Sequence, residues 1–144
     1  MGAPFVLLVD DEVPFVETME KRLTKRNYIV ITANDGQEAL DVLEKNKNID
    51  VIILDVKMPR LDGIETLKEI KKRLPLAEVL MLTGHATVET AIDGMKLGAY
   101  DYLMKPCDIE QLVSKIDEAA AKKKDHEIRI RDARTREILS DRHW

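Results

Sequence analysis

The sequence predicts a doubly wound α/β fold with a five-stranded parallel sheet and five helices. Short, unbroken apolar runs recur along the chain, longer segments with helical spacing lie between them, and turn-forming residues separate the two. Such alternation of strand and helix implies right-handed crossovers, helices on both faces of the sheet, and ligands bound at the carboxyl ends of the strands.

The apolar runs are the predicted strands. Four of them are too short for a helix and rich in branched residues, which is typical of strands buried on both faces of a sheet. A fifth run is weaker. The five predicted strands cover residues 5–9, 28–31, 51–54, 79–82 and 100–104.

Turn-forming residues agree with this division. The pairs at 35–36, 62–63 and 83–84 combine Asp or Thr with Gly and stand where predicted strands give way to helices. Pro75 and Gly98 fall just past the ends of the third and fourth helical patterns. Both signals support five β-α units.

The last helical pattern is longer than its apolar stripe. The stripe at 109, 112, 113 and 116 weakens after Ala120 into the run Lys122-Lys123-Lys124. Past Ala120 we expect the helix to leave its own sheet. The sequence therefore predicts one domain over residues 1–120 and a charged helical extension over residues 121–144.

Composition limits the possible functions. Charged residues at 35% and hydrophobic residues at 44% are typical of a soluble globular domain, and aromatics at 4% offer few surfaces for stacking nucleic-acid bases. The single cysteine, Cys107, excludes an intramolecular disulfide and a zinc cluster. No signal peptide or run of about 20 apolar residues is present, so we expect a cytoplasmic protein without membrane contacts.

Three carboxylates mark the predicted functional edge. Asp10 and Asp11 directly follow the first strand, and Asp55 directly follows the third. Neighbouring strands of a parallel sheet end at the same edge, so these side chains converge there. Carboxylates about 4 Å apart repel by about 4 kcal/mol at an effective dielectric of about 20, so a cation or protons must neutralise them. Oxygen ligands favour Mg²⁺. For Asp10 and Asp11 we also expect that one of the pair caps the first helix.

Two further residues are expected at this edge. Lys105 follows the fifth strand and precedes Pro106, and a cis bond there would fix the direction of the lysine. Thr83 ends the fourth strand and carries a hydroxyl, although it could instead cap a helix beginning near Ala86. A nucleophilic carboxylate, a metal and further donors are what phosphoryl transfer to aspartate requires. There is no Gly-rich nucleotide loop.

The residues resemble the receiver domain of bacterial two-component response regulators over about residues 4 to 120. Each motif alone is short, but five occur in order, and the runs 82–92 and 98–107 resemble receivers that precede nitrogen-regulatory ATPase domains. The five motifs are Val9-Asp10-Asp11-Glu12, the Asp-Val-Lys-Met-Pro run at 55–59, Leu61-Asp62-Gly63, Leu82-Thr83-Gly84 and Lys105-Pro106.

The resemblance implies a flavodoxin-like sheet with strand order 2-1-3-4-5 and a phosphorelay function. Asp55 would accept a phosphoryl group from a histidine kinase. Asp11, Asp55 and the backbone carbonyl of Lys57 would bind Mg²⁺, with Asp10 holding the metal through water. The protein would be a phosphoacceptor switch, with at most self-catalysed phosphorylation and dephosphorylation, rather than an enzyme.

The resemblance also implies a switch. Lys105 would pair with the acyl phosphate, Thr83 would move to bond a phosphate oxygen, and the ring of Tyr102 would turn inward. We expect the face built from the fourth helix, the fifth strand and the fifth helix to be the output surface, for a homodimer on phosphorylation or for a downstream protein. Lys57 and His85, two residues after Asp55 and Thr83, are expected to alter attack of water on the acyl phosphate.

Other functions fit the sequence less well. A haloacid-dehalogenase-type phosphatase would carry a D-x-D pattern after the first strand, whereas here the two aspartates are adjacent. A flavodoxin-like electron carrier needs a Ser/Thr/Gly-rich phosphate loop where this chain has Asp-Asp-Glu. A receiver-like domain that only binds partners remains possible if the intact site is unused.

The extension leaves three interpretations open. The chain is a single-domain regulator with an extended last helix, which we favour, or a receiver cut from a larger transcriptional regulator, or the tail forms a coiled coil, for which continuous heptads are absent. Residues 121–144 carry eight Lys/Arg against five Asp/Glu, and the preceding residues carry fifteen against twenty-two. A tail of such mixed charge is poorly suited to bind the phosphate backbone of a nucleic acid, so we expect no direct nucleic-acid binding.

Overall fold

The computed structural model describes residues 3–56, 62–84 and 87–141, and these form the predicted doubly wound α/β fold. All strand pairs are parallel, in the order β2-β1-β3-β4-β5. The elements are β1 Phe5–Val9, α1 Val13–Lys25, β2 Ile29–Ala33, α2 Gly36–Lys45, β3 Val51–Leu54, α3 Gly63–Arg73, β4 Glu78–Thr83, α4 Val88–Lys96, β5 Asp101–Met104 and α5 Ile109–Asp141.

The core lies in two layers, one on each face of the sheet. Side chains of β1 alternate between them, because successive residues of a strand point to opposite faces. Leu7 packs with residues of α2 and α3, and Leu8 packs with residues of α1 and α5. Both leucines are fully buried. The unbroken apolar runs of β1, β3 and β4 therefore follow from burial on both sides.

For β2 the prediction of burial on both faces is wrong. The strand runs Ile29–Ala33 rather than over residues 28–31, and Ile29 is 56% exposed. The reason is position, because β2 is an edge strand that pairs with β1 alone. An apolar run does not distinguish an edge strand from a central one.

Helix starts match the sequence at two of the predicted junctions. Asp35 accepts a hydrogen bond from Glu38 N at 2.8 Å, and Asp62 accepts one from Glu65 N at 2.9 Å. Such caps satisfy backbone donors that the first helical turn leaves free. For α4 the cap is Thr87 rather than Thr83, and it forms a capping box with Thr90.

The expected cap on α1 is absent. The residue before the helix is Glu12, which makes no side-chain capping bond, so the prediction that Asp10 or Asp11 caps the helix is wrong. Asp10 Oδ1 instead accepts a hydrogen bond from Glu12 N at 2.9 Å. The carboxylate is therefore used to order the loop between β1 and α1.

Helix α5 stays attached to the sheet for about one turn longer than expected. Lys123 lies past Ala120, yet its side chain is only 9% exposed and Nζ lies 2.9 Å from Asp50 Oδ1. Lys122 Nζ lies 3.2 Å from Glu78 Oε2. Long lysine stems cover apolar surface while their ammonium groups reach a partner. The expectation that the helix leaves the sheet at Ala120 is therefore wrong.

Across the described ranges, every helix is too short or too polar to cross a lipid bilayer.

Candidate phosphoacceptor and metal site

The carboxyl ends of β1 and β3 bring three carboxylates together, as the sequence predicts. Asp10 N donates to Ala33 O at 3.1 Å and Asp55 N donates to Val9 O at 3.0 Å, so both residues continue the sheet ladder. Carboxylate oxygens of Asp10, Asp11 and Asp55 lie within 4.8 Å of one another. Asp10 and Asp55 are buried, and Asp11 is exposed. The cluster therefore has one side open to solvent.

Asp55 carries a buried acceptor without a partner. It is 2% exposed, and its Oδ1 has no hydrogen-bond partner in the described part of the chain. A buried carboxylate oxygen without a partner is costly, and such groups call for an explanation such as a functional role or a bound ion. An all-oxygen set of donors fits a hard cation such as Mg²⁺.

Asp10 is held in a more polar setting than Asp55. Burial raises the pKa of the Asp10 carboxyl above its ordinary value, and the nearby charge of Asp55 raises it further. The Lys105 ammonium, 2.6 Å from Asp10 Oδ2, and the Glu12 N–H lower the pKa in part without cancelling the rise. Asp10 therefore pairs with Lys105 on one side and is repelled by the charge of Asp55 on the other.

Lys105 lies at the same edge, after β5. Its side chain is 13% exposed, and Nζ lies 2.6 Å from Asp10 Oδ2, 2.9 Å from Glu12 Oε1 and 4.1 Å from the centre of the Phe15 ring. Burial alone would lower the pKa of Lys105, but the two carboxylate partners outweigh it and raise the pKa. The Lys105-Pro106 bond is cis. Lys105 is thus a partly buried, charged donor rather than a solvated surface lysine.

Thr83 is joined to Lys105 through the backbone. Thr83 ends β4 and is fully buried, and Lys105 N donates to Thr83 O at 2.9 Å. In the sheet, Thr83 is paired with Met104. The last residues of β4 and β5 are therefore coupled at the edge that carries the carboxylates.

Tyr102 is linked to helix α4. It is half-buried in β5, as expected of a strand tyrosine, and its hydroxyl lies 3.0 Å from Thr90 Oγ1. Thr90 belongs to the capping box with Thr87 at the first turn of α4. A movement of the Tyr102 ring would therefore break a contact at the N-terminus of α4.

Some residues of the site were not singled out from the sequence. Glu12 and Phe15 hold the Lys105 side chain, although both lie about 90 positions away in the chain. The acidic run Val9-Asp10-Asp11-Glu12 was a possible signal for Glu12, whereas no pattern connected Phe15 or Thr90 to the site. Such pairings depend on side-chain packing that only the folded chain defines.

Gly63 has a steric role beside Asp55. A Cβ at Gly63 would overlap the carbonyl oxygen of Asp55 and the backbone of Val56, and Gly63 N donates to Val56 O at 2.7 Å. The first residue of α3 thus packs closely against the segment that carries Asp55, and only glycine permits this close approach. The Asp62-Gly63 pair combines a helix cap with this contact.

Two residues predicted to act here, Lys57 and His85, lie outside the described residues. A groove of about 460 Å³ opens beside Lys105. Its walls are formed by α1 and by the loops after β4 and β5, chiefly Phe15, Thr18, Met19, Arg22, Gly84 and Cys107.

The fold and its acidic edge define a receiver-type α/β domain. The sequence profile of the response regulator receiver domain matches residues 6–117, and the chain belongs to this family. Receiver domains of two-component response regulators act as phosphoacceptor switches rather than as enzymes, and they have an acidic pocket like the aspartate cluster found here.

Known regulators and solved receivers are similar to this chain. The transcriptional regulatory protein ZraR of Escherichia coli O157:H7 is 39% identical over 116 residues, which cover 81% of this chain and 26% of ZraR. The DNA-binding transcriptional regulator NtrC of Klebsiella pneumoniae is 38% identical over 112 residues, 78% of this chain and 24% of NtrC. The chain therefore spans about a quarter of the length of these relatives.

Solved receiver structures have the same fold. A response regulator receiver domain from Clostridium thermocellum superposes with a TM-score of 0.80 at 38% identity, covering 84% of this chain and 97% of that one. The CheX-CheY-BeF₃-Mg²⁺ complex from Borrelia burgdorferi gives 0.74 at 31% identity, covering 78% and 86% of the two chains.

Proposed function

We propose that Asp55 is the phosphoacceptor of this receiver. The observation that carries the proposal is its buried Oδ1, which lacks a partner among the described residues while two more carboxylates and an ammonium stand around it. A carboxylate that the protein leaves unsatisfied is available as a nucleophile.

The proposed reaction moves one phosphoryl group. An oxygen of Asp55 attacks the phosphorus of a phosphohistidine on a histidine kinase, the P–N bond breaks, and the imidazole leaves as an acyl phosphate forms. In a separate hydrolysis step, water attacks the phosphorus, the P–O bond to Asp55 breaks, and inorganic phosphate leaves as the carboxylate is restored. Self-catalysis with small phosphodonors follows the same path.

The cluster supports a Mg²⁺ site. We propose Asp11 and Asp55 as direct ligands with the carbonyl of Lys57, and Asp10 as a ligand through water. The bound ion would neutralise charge on the transferred group. The all-oxygen donor set and the partly open cluster support this assignment, as does the similarity to a CheY solved with BeF₃ and Mg²⁺.

Lys105 and Thr83 would bind the phosphate oxygens. Lys105 is already partly buried and charged at the edge, held by Asp10 and Glu12, so a shift of its flexible side chain would bring Nζ to a phosphate oxygen. Thr83 would donate its hydroxyl, and Tyr102 would leave Thr90 as its ring turns inward. Phosphorylation adds nearly two negative charges and three acceptors, enough to bias a two-state element.

The output surface would be the face of α4, β5 and α5. The Tyr102–Thr90 contact joins β5 to the first turn of α4, which supports a coupled change of both elements. We propose that this face forms a homodimer or binds a downstream protein, and that the groove beside Lys105 receives the kinase. A cytoplasmic location and the absence of direct nucleic-acid binding stay predictions.

The direct experiment is incubation with acetyl phosphate and Mg²⁺, followed by intact mass measurement. The wild-type chain should gain one phosphoryl group, and Asp55→Asn should gain none. Asp41→Asn, which changes an aspartate on the surface of α2, is the matched control and should be phosphorylated like the wild type. A wild type that gains no phosphoryl group, or an Asp55→Asn variant that gains as much, would contradict the proposal.

A second candidate is the receiver part of a larger transcriptional regulator. It is favoured by the lengths of ZraR and NtrC, of which this chain matches about a quarter. The intact mass of the native protein, purified from its own cells, distinguishes the two candidates. A mass equal to that of the 144-residue chain supports the single-domain regulator, and a several-fold larger mass supports the second candidate.

A further inference from the structure

Helix α4 presents an apolar stripe that no described residue covers. Val88, Ile92 and Met95 recur at helical spacing along one side of the helix, and they are 79%, 49% and 47% exposed. Glu89 and Asp93 lie one position further along the helix and form an acidic flank. We call these five residues the α4 stripe. Grouped exposed apolar side chains of this kind mark interaction sites.

The part of α5 beyond Lys123 carries a second exposed surface. There, two isoleucines and two arginines share one side of the helix and form a groove of about 410 Å³ with the loop before β4. We call this the extension groove. Its principal residues are Leu76, Glu127, Ile130, Arg131, Arg134 and Ile138.

The two surfaces are complementary in charge. Glu89 and Asp93 make no ion pair with any described residue, and the same holds for Arg131 and Arg134. One surface therefore offers apolar side chains with free carboxylates, and the other offers apolar side chains with free guanidinium groups. Arginine is well suited to pair with carboxylates at interfaces.

The protein holds the extension groove in a fixed direction. Lys123 is paired with Asp50, and Lys122 is paired with Glu78, so α5 is anchored to the sheet just before the groove begins. Beyond Lys123 the helix continues for roughly 27 Å at about 1.5 Å per residue. The nine residues of α4 span about 14 Å, so one extension is long enough to cover the stripe.

We propose that the extension groove of one copy of this chain binds the α4 stripe of a second copy. Each copy offers both surfaces, so a two-fold axis allows both contacts to form at once and closes the assembly as a dimer. The proposal identifies a second copy of this chain as the partner of the output face, and it therefore rests on the proposed function. Because α4 is the element that phosphorylation would shift, dimerisation depends on the state of Asp55.

Two charge-reversal variants of the full chain test the contact. Variant X is Arg131→Glu/Arg134→Glu, and variant Y is Glu89→Arg/Asp93→Arg. All four residues are on the surface, so the fold is retained, which circular dichroism checks. Sedimentation velocity across the micromolar range, with and without beryllium fluoride and Mg²⁺, measures the dimer.

The wild type is expected to dimerise more tightly with beryllium fluoride. X alone and Y alone should dimerise at least about tenfold more weakly, because like charges then face each other in both contacts. An equimolar mixture of X and Y should restore the dimer, since each extension then meets an α4 stripe of opposite charge. A contact between two extensions would leave Y unaffected, and a contact between two α4 stripes would leave X unaffected.

Arg129→Glu/Arg136→Glu is the matched control. It makes the same change of charge on the extension, but neither residue lines the groove, and Arg129 is paired with Asp125 at 3.0 Å. This control should dimerise within about twofold of the wild type, allowing for the change in long-range charge. Equal weakening by X and by the control would overturn the proposal.

The proposal is also overturned by a wild type that stays monomeric in both states, by X or Y dimerising like the wild type, or by an X and Y mixture that stays monomeric. Intact mass after acetyl phosphate treatment separates this failure from that of the proposed function. A phosphoryl group gained without a dimer rejects the dimer alone, whereas absence of the phosphoryl group rejects the phosphoacceptor.

Discussion

Acidic side chains lie at both the carboxyl edge and the amino edge of the sheet, that is, at the two ends of its strands, but only those at the amino edge are fully paired. At the carboxyl edge, three carboxylates crowd within 4.8 Å, and Asp55 Oδ1 has no partner among the described residues. At the amino edge, both oxygens of Asp50 are used. Oδ2 accepts a hydrogen bond from Phe5 N at 2.9 Å, and Oδ1 accepts one from Lys123 at 2.9 Å.

Glu78 continues the contrast at the amino edge. Its side chain is 4% exposed, and ammonium groups of Lys71 and Lys122 lie 3.4 and 3.2 Å from its two oxygens. The Lys122 contact is an ion pair without hydrogen-bond geometry. The protein pairs its acidic side chains with lysines at the edge that anchors α5, and it leaves a buried oxygen of Asp55 without a partner at the carboxyl edge. Charged partners therefore distinguish Asp55 from Asp50 and Glu78 more clearly than position in the sheet does.

The largest expected effect is at the carboxyl edge. Gly63→Ala should destabilise the domain by roughly 4 kcal/mol or more, because the new Cβ would overlap the backbone of Asp55 and Val56. Urea unfolding measures this. Gly84→Ala is the matched control, since a Cβ at Gly84 meets no atom within 4 Å, and it should cost about 1 kcal/mol or less. Equal small effects would show that the backbone at Asp55 yields easily.

A smaller effect is expected at the amino edge. Lys123→Ala should destabilise the domain by about 2 kcal/mol, because it leaves Asp50 without its ammonium partner in a partly buried place. Lys21→Ala, in the exposed side of α1, should change the unfolding free energy by less than about 0.5 kcal/mol. If both variants were equally stable, the anchoring of α5 by this pair would be refuted.

The smallest effect comes from the residue before β2. Tyr28 donates to Asp117 Oδ1 of α5 at 2.6 Å, and Tyr28→Phe should cost about 1 kcal/mol. Burial, then the hydrogen bond and charge of Asp117, raise the pKa of Tyr28. A raised pKa means that the tyrosine's contribution is complete below about pH 10, its unfolded pKa, and is lost as the pH rises from there.

Urea unfolding of the wild type and Tyr28→Phe on both sides of about pH 10 checks this sign. The stability difference between the two proteins should shrink at the higher pH. A difference that grows with pH would mean that the tyrosine titrates below its ordinary value in the folded protein.

Much of the fold followed from the sequence because local signals and tertiary position agreed. The bounds of β1 and β3 match the predicted runs, since these strands are central and fully apolar. The convergence of Asp10 and Asp55 could be predicted because each directly follows a strand, and adjacent parallel strands end at one edge.

The remaining features depended on contacts that no local pattern records. The run Lys122-Lys123-Lys124 has the composition of a solvated helix, and its anchoring role arises only because Asp50 and Glu78 begin or precede distant strands. Likewise, Glu12 holds Lys105 through a contact across 93 positions. The partners of long, flexible side chains are set by the folded structure, so these partners cannot be predicted from sequence spacing.

The contrast between the edges is tested most directly by the unfolding free energies of Asp55→Asn and Asp50→Asn in the absence of divalent metal. Asp55→Asn should be more stable than the wild type by about 1 kcal/mol, because it removes a buried, unsatisfied charge from a like-charged cluster. Asp50→Asn should be less stable by about 2 kcal/mol, because buried Lys123 loses its nearer carboxylate partner and keeps only the longer contact with Glu127 at 3.6 Å. Two variants that destabilise the domain alike would contradict the account.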